Sequence, residues 1–120
     1  MIKVLTFIKR KPGITREEFL KYYEEVHAPL SLKHLPKPAR YVRNHIIAAV
    51  EGQEPEFDCV TEHWFETVED AMAVNEVMGG SDAATGYTTE VGKIFLEDEG
   101  RFMDRASRFA CMVDERVSGL

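Results

Sequence analysis

The feature that most constrains this chain is the helix signal that begins at Thr15. Thr15 is suited to cap a helix, and Glu18 three residues later can complete a capping box with it. Ile14 and Phe19 flank the cap at the positions of a hydrophobic staple. These signals agree on a helix that begins at Arg16.

Apolar and aromatic residues recur every three or four positions along this helix, which predicts one buried stripe of Phe19, Tyr23, Val26, His27 and Leu30. Tyr23 and His27 lie one turn apart on that stripe. Pro29 disfavours helical geometry at Ala28, so the helix is predicted to end or kink beside His27. We therefore expect His27 to face an internal cavity that it shares with Tyr23 and a sheet.

Two interpretations of His27 remain open at this stage. A titratable ring at the end of a buried stripe is suited to be a general acid or base. A core histidine whose two nitrogens are satisfied by neighbouring groups fits the same pattern, because buried polar groups are normally paired.

Alternating apolar residues predict four strands: Met1–Lys9, Ala39–Val50, Phe57–Phe65 and Ser107–Val117. The first strand carries apolar residues on both faces, so a single layer of helices leaves one apolar face to be covered. In the second strand, Asn44 and His45 point to opposite faces. In the third, Asp58, Glu62 and Trp64 share a face, which fits either a ligand-binding carboxylate over an aromatic floor or a sheet edge that meets solvent.

A second helix is predicted between Thr67, which caps it with Asp70 as the reciprocal residue, and Gly79-Gly80, which ends it. Ser81 is expected to start another helical piece that Gly86 interrupts. Beyond it a stripe of Val91, Phe95 and Phe102 continues the helical pattern, with Glu97-Asp98-Glu99 as its solvated face. Strand, helix, strand, strand, helix, strand is the order of the ferredoxin-like βαββαβ subunit, and we expect a homodimer to cover its second face.

Composition and charge limit the function. The 120 residues fit one domain, 1–120, and the net charge of −6 argues against a nucleic-acid partner. No apolar run approaches the roughly 20 residues that span a membrane, and no signal peptide is evident. Cys59 and Cys111 are expected to stay unpaired, which suits the cytoplasm. The four histidines form no metal-binding pair, and no phosphate-binding glycine loop occurs, so we expect no metal or cofactor.

Several segments together resemble the EthD family of dimeric α+β barrels. They are Arg10 to Phe19, Val26-His27-Ala28-Pro29-Leu30, Tyr41-Val42-Arg43-Asn44-His45, Glu62-His63-Trp64-Phe65 and Glu97 to Asp104. His63 departs from the pattern, since an apolar residue is expected there. The resemblance implies an antiparallel sheet with helices on one face, a dimer, and a small hydrophobic cavity between the sheet and the helices.

The resemblance implies two classes of function, because fold alone does not decide chemistry. The first is a small cofactor-independent enzyme that acts by acid/base chemistry on an aromatic, polyketide-like or lactone substrate, as a cyclase, decarboxylase, isomerase or lyase. Its expected catalytic residues are His27, Tyr23 and His45, and its expected substrate-binding residues are Asn44, Asp58, Glu62 and Trp64. The second is a non-catalytic binding protein for a small hydrophobic or aromatic molecule, or an accessory to an oxidoreductase, as in ether degradation.

Overall fold

A computed structural model describes residues 1–80 and 87–120 of the chain. Its strands are β1 (Ile2–Ile8), β2 (Arg40–His45), β3 (Cys59–Phe65) and β4 (Phe109–Val113). Its helices are α1 (Arg16–Tyr22), a π-helical turn (Tyr23–His27), α2 (Ala28–His34), α3 (Val68–Met78) and α4 (Glu90–Phe102), and a short 3₁₀ turn (Arg105–Ser107) leads into β4. The predicted helical piece between Ser81 and Gly86 lies outside the described residues.

The strands form one antiparallel sheet in the order β2-β3-β1-β4. The helices lie on one face of this sheet, which confirms the ferredoxin-like subunit. The described strands are shorter than the alternation predicted: β2 ends at His45, and Ile47 and Val50 beyond it are exposed. The reason lies in β3, which begins only at Cys59, because a strand ends where it loses its partner.

The N-terminus of the first helix is built as its sequence predicts. The Thr15 hydroxyl accepts a hydrogen bond from the Glu18 N–H at 3.1 Å, and the Glu18 carboxylate accepts one from the Thr15 N–H at 3.2 Å. The two bonds form the reciprocal capping box. In α3, Thr67 likewise caps the first turn, and Gly79 ends the helix with a φ of 77°, in the left-handed region that favours glycine.

The helix does not end beside His27, which was one of the two outcomes that Pro29 predicted. It continues to His34 through the π-helical turn, in which the Ala28 N–H bonds to the carbonyl of Tyr23, five residues back. Proline has no N–H to donate and its ring crowds the carbonyl four residues earlier, so the wider turn accommodates it. A π-helical turn contains one more residue than an α-helical turn. The buried positions are therefore spaced four apart, at Phe19, Tyr23, His27 and Ser31, and Val26, which was predicted to be buried, is 41% exposed.

The sheet has two different faces. Thr6, Ile8 and Cys59 point toward the helices and are buried, as are Phe19 and Phe102 above them. The opposite face, which we call the bare face, is covered by no described helix and carries mostly apolar side chains: Leu5, Phe7, Val42, Val60, Trp64, Phe109 and Val113. On it Phe7 packs against Phe57 and Phe109, with ring centroids 5.5 and 6.1 Å apart.

Cys59 lies on β3 and Cys111 on β4, on either side of β1. Both are free thiols, as the sequence predicted. Two strand spacings separate them, which is too far for a disulfide. No helix among the described residues is long and apolar enough to cross a membrane.

Candidate functional site

We call the continuous helix formed by α1, the π-helical turn and α2 (residues 16–34) the long helix. The π-helical turn places His27 where the long helix meets α4 and the sheet. The His27 ring is packed edge-on against Tyr23, with centroids 4.9 Å apart, and lies 5.0 Å from the ring of Phe102. The residue is 9% exposed. Single π-helical turns occur often at functional sites, and here the turn keeps Tyr23 and His27 on the same buried side.

His27 forms a close pair with Asp98 of α4. The distance from His27 Nδ1 to Asp98 Oδ2 is 2.5 Å, and the carboxylate is only 4% exposed. The Tyr22 hydroxyl donates to the other oxygen, Oδ1, at 3.0 Å. Asp98 is therefore held from two sides, and its orientation toward His27 is fixed.

This pairing decides what the imidazole can do. An ionised carboxylate only accepts hydrogen bonds, so Nδ1 carries the proton that it shares with Asp98. The neutral ring is then free to accept a proton at Nε2, and the carboxylate stabilises the imidazolium that forms. Among the described residues Nε2 has no hydrogen-bond partner, and the ring lines a cavity.

Two neighbouring cavities lie between the helices and the sheet. The inner cavity, of about 80 Å³, is lined by His27 and by residues that include Thr6, Tyr23, Leu35, His63, Phe95, Glu99 and Arg108. The outer cavity, of about 120 Å³, shares Thr6, Ser31, Leu35, His63, Val74 and Arg108 with it and adds apolar walls such as Leu32, Pro36, Tyr41 and Phe65. The pair of cavities is therefore mostly apolar, with a few polar groups that reach into it, as small-molecule sites are.

His63 lies at the boundary between the two cavities. Burial lowers its pKa to about 4, and repulsion from His27, Arg108 and Arg43 adds to the effect. Its ring stacks on Tyr41, with centroids 4.6 Å apart and an angle of 17° between the planes. At neutral pH His63 is therefore an uncharged ring in the cavity wall.

Tyr23 is a neighbour of His27 whose hydroxyl is bound elsewhere. That hydroxyl lies 2.5 Å from Thr61 Oγ1 on β3, and the residue is 1% exposed. Burial, as the largest cause, raises the pKa of Tyr23 well above its ordinary value. The phenol consequently stays protonated at neutral pH, while its ring packs against that of His27.

His45 points to the helix face and its ring packs edge-on against Tyr23, with centroids 5.4 Å apart, but its hydrogen bond is to a different group. Its Nε2 lies 2.9 Å from Glu24 Oε2, and Arg43 donates two hydrogen bonds to the same carboxylate, at 3.0 and 2.6 Å. The hydrogen bond from Arg43 is the largest cause that lowers the pKa of Glu24 to about 2. His45 is not among the residues that line the two cavities.

The predicted substrate-binding residues do not gather around His27. Asp58 is 7% exposed, accepts the Arg10 N–H at 2.8 Å and pairs with Arg16 Nε at 3.1 Å, so it anchors the start of the long helix. Asn44, Glu62 and Trp64 lie together on the bare face. There Glu62 accepts from Asn44 Nδ2 at 2.8 Å and from Trp64 Nε1 at 3.1 Å.

Four titratable residues of the site were not predicted: His63, Asp98, Glu99 and Arg108. The sequence assigned Asp98 and Glu99 to a solvated face, and this is wrong, because both are only 4% exposed. The spacing along α4 indicated their burial. Asp98 lies three residues after Phe95 and Glu99 lies three residues before Phe102, so both acids share a helical face with the two buried phenylalanines. Among the described residues no three histidine, cysteine, aspartate or glutamate side chains come together as metal ligands.

Comparison with known proteins identifies the family to which the sequence is similar. A model of the EthD domain matches residues 11–106. An EthD family protein from Bacillus halodurans is 20% identical with a TM-score of 0.66, over 97% of this chain and 100% of that chain. A protein from Arabidopsis thaliana is 12% identical with a TM-score of 0.60, over 100% of both chains.

A third similar structure, a dimeric protein of unknown function and ferredoxin-like fold from Bacteroides fragilis, is 12% identical with a TM-score of 0.52, over 95% of each chain. Among curated proteins, none matches the chain. At these identities the solved structures show the fold alone, which agrees with the ferredoxin-like subunit described above. The domain model, however, spans most of the sequence, and the chain therefore belongs to the EthD family.

Proposed function

We propose that this protein is a small acid/base enzyme, independent of a cofactor, which moves a proton on an aromatic, polyketide-like or lactone substrate. His27 is the proton-transfer group, and Asp98 is its positioning residue. The observation that carries the proposal is the buried His27–Asp98 pair, 2.5 Å apart, at the wall of a mostly apolar cavity.

The proton balance follows from the geometry. His27 Nε2 takes a proton from a carbon or oxygen acid of the bound substrate, and the charge of the imidazolium is balanced by Asp98. The imidazolium then returns the proton to another atom of the same molecule, as an isomerisation or cyclisation requires. Apolar walls strengthen this charge pair because they exclude water from it.

The contrasting interpretation of His27 as a satisfied core histidine is supported less well. A core histidine is expected to have partners for both ring nitrogens. Here only Nδ1 has a hydrogen-bond partner among the described residues, and the opposite side of the ring adjoins the cavity. One bound nitrogen and one free nitrogen is the arrangement of a working base oriented by a carboxylate.

We also propose that residues 1–120 act as one domain in a cytoplasmic homodimer that closes the bare face. Phe109 on that face is 58% exposed, beside Phe7 and the other apolar residues named above. A contiguous apolar surface of this kind usually marks an interface. The similar Bacteroides fragilis protein is described as dimeric, which supports the proposal.

The second candidate function is a non-catalytic binding protein for a small hydrophobic molecule. The apolar lining of the outer cavity favours it, since a ring can be bound there without contact with His27. The two candidates differ in one respect: only the enzyme requires a proton to leave the ligand.

Solvent exchange tests the difference without knowledge of the natural substrate. The purified protein is incubated in D₂O with 4-phenyl-2-butanone, 2-tetralone or α-angelica lactone, and the loss of the exchangeable C–H signal is followed by NMR. We expect wild type to exceed the buffer rate at least tenfold for one of these probes, and His27→Gln to return to the buffer rate. His34→Gln is the matched control, because His34 is on the same helical run but does not line either cavity.

A second variant separates the role of Asp98 from that of the imidazole itself. Asp98→Asn keeps the shape of the side chain but offers an amide that favours the wrong tautomer, and the same change in Ser-His-Asp enzymes costs about 10⁴-fold. We expect a loss of at least tenfold in exchange. Wild-type rates equal to buffer for every probe, or a His27→Gln variant as active as wild type, would refute the proposed enzyme.

A further inference from the structure

Arg108 places a positive charge at the boundary of the two cavities. It follows the 3₁₀ turn, directly before β4, and is half-buried. Its side chain lines both the inner and the outer cavity, and also an adjoining cleft beside Met78, Tyr87 and Met112. His27 lines the same inner cavity, so a ligand there adjoins both groups.

The guanidinium of Arg108 has no partner in the described part of the chain. It makes no hydrogen bond, no ion pair and no stacking contact with an aromatic ring among those residues. The other arginines near the site are bound: Arg43 holds Glu24 with two hydrogen bonds, and Arg105 donates to Glu99 at 3.2 Å. A partly buried arginine usually has a carboxylate or other acceptor, because its five donors are costly to leave unmet.

The carboxylate of Glu99, which lines the inner cavity with Arg108, is bound to other residues. Glu99 lines the inner cavity and is 4% exposed, but it accepts the Tyr87 hydroxyl at 2.9 Å and the Arg105 side chain at 3.2 Å. His63, which also adjoins Arg108, is uncharged at neutral pH because burial lowers its pKa to about 4. Within the described ranges 1–80 and 87–120, the positive charge of Arg108 consequently has no paired carboxylate in this mostly apolar site.

We propose that Arg108 binds a planar anionic oxygen group, a carboxylate or an enolate, on a ring-containing ligand whose body fills the outer cavity. This inference rests on the proposed function and specifies its substrate class. A guanidinium fork matches a carboxylate with two parallel hydrogen bonds, which also fixes the orientation of the ring. An enolate formed by proton transfer to His27 is stabilised by the same charge, since it lies in the same inner cavity.

The size of the site fits such a ligand. The inner and outer cavities measure about 80 and about 120 Å³ and share lining residues, so a ligand between them contacts the walls of both. For comparison, a cavity of about 150 Å³ in an apolar core holds one benzene ring. A ligand of one or two fused rings with an acidic substituent is therefore the class that the site can enclose.

Binding of 2-naphthoate and its neutral counterpart 2-naphthamide tests the proposal. Each is titrated into the full-length protein at pH 7.5 and followed by calorimetry or NMR shifts. We expect wild type to bind the naphthoate at least tenfold more tightly than the amide. Arg108→Gln should abolish that preference, and Arg108→Lys should keep part of it because the charge remains without the fork.

Arg116→Gln is the matched control, since Arg116 is an exposed arginine that pairs with Asp114 and lines neither cavity. Should Arg108→Gln fail to fold, the lysine variant and the wild-type comparison of the two probes still decide the matter. Equal binding of naphthoate and amide by wild type, or an undiminished preference in Arg108→Gln, would overturn the assignment. The exchange assay on His27 does not depend on this result. The binding assay therefore tests the anion site, and the exchange assay separately tests the proton-transfer function.

Discussion

We predict that replacement of His63 by phenylalanine changes how the free energy of unfolding depends on pH. Burial lowers the pKa of His63 to about 4, whereas an unfolded histidine titrates near 6.5. Between these two values the unfolded chain binds a proton that the folded chain does not. The free energy of unfolding of wild type therefore falls as the pH falls through this window, and His63→Phe lacks this contribution.

The magnitude follows from the two pKa values. The full effect is about 3 kcal/mol below pH 4, and about 2 kcal/mol of it accumulates between pH 7 and pH 5. Even a folded-state pKa one unit higher leaves roughly 1.5 kcal/mol over that range. Phenylalanine preserves the flat ring that stacks on Tyr41, so the two proteins should behave alike above pH 7.

Urea unfolding at one fixed protein concentration, at pH 8, 7, 6 and 5, measures this difference. All other titrating groups are common to both proteins, so the two curves should separate only below pH 7, with His63→Phe the less sensitive to acid. Curves that run parallel from pH 8 to pH 5 would refute the assignment of His63 as a buried, uncharged ring.

Three further predictions follow. Thr15→Ala removes the capping box and should lower the free energy of unfolding by about 1 kcal/mol in the same urea assay; no change would mean that the cap is redundant. Cys59 is fully buried and its pKa is raised to about 11, mainly by burial, so intact mass should show it unmodified by iodoacetamide until guanidine is added. Light scattering should give a dimer mass at micromolar concentration and a monomer mass for Phe109→Glu, which places a charge on the bare face; a wild-type monomer would contradict the dimer.

Local signals in the sequence predicted the parts of the fold that depend on local interactions. Thr15, Glu18 and Phe19 lie within five positions of one another, so the capping signal that starts the first helix is local. The opposite directions of Asn44 and His45 follow from strand geometry alone, and the structure has them so. The order of helices and strands then leads to the ferredoxin-like subunit.

The candidate site depended on interactions that the sequence did not reveal. Pro29 indicated an irregular helix, but it did not indicate that a π-helical turn would accommodate the proline or that the helix would continue to His34. Asp98 was assigned to solvent because a run of three acids usually is exposed. The pairing with His27 and the hydrogen bond from the Tyr22 hydroxyl compensate its burial, since a buried carboxylate needs partners.

The ends of the strands and the role of Arg108 are also tertiary properties. The alternation of β2 continues past His45, yet the strand stops where β3 no longer pairs with it. Arg108 carries no motif, and its interest arises only because the 3₁₀ turn brings it to the cavity that His27 lines.

The tautomer of His27 tests the central claim most directly, because it needs no substrate. Long-range ¹H–¹⁵N NMR spectra of the histidine side chains, taken from pH 6 to 9 and assigned with His27→Gln, distinguish a proton on Nδ1 from one on Nε2. Through the 2.5 Å contact with Asp98 we predict that the neutral ring carries its proton on Nδ1, and that Asp98→Asn shifts it to Nε2. A wild-type ring protonated at Nε2, with no base directed at the cavity, would contradict the account.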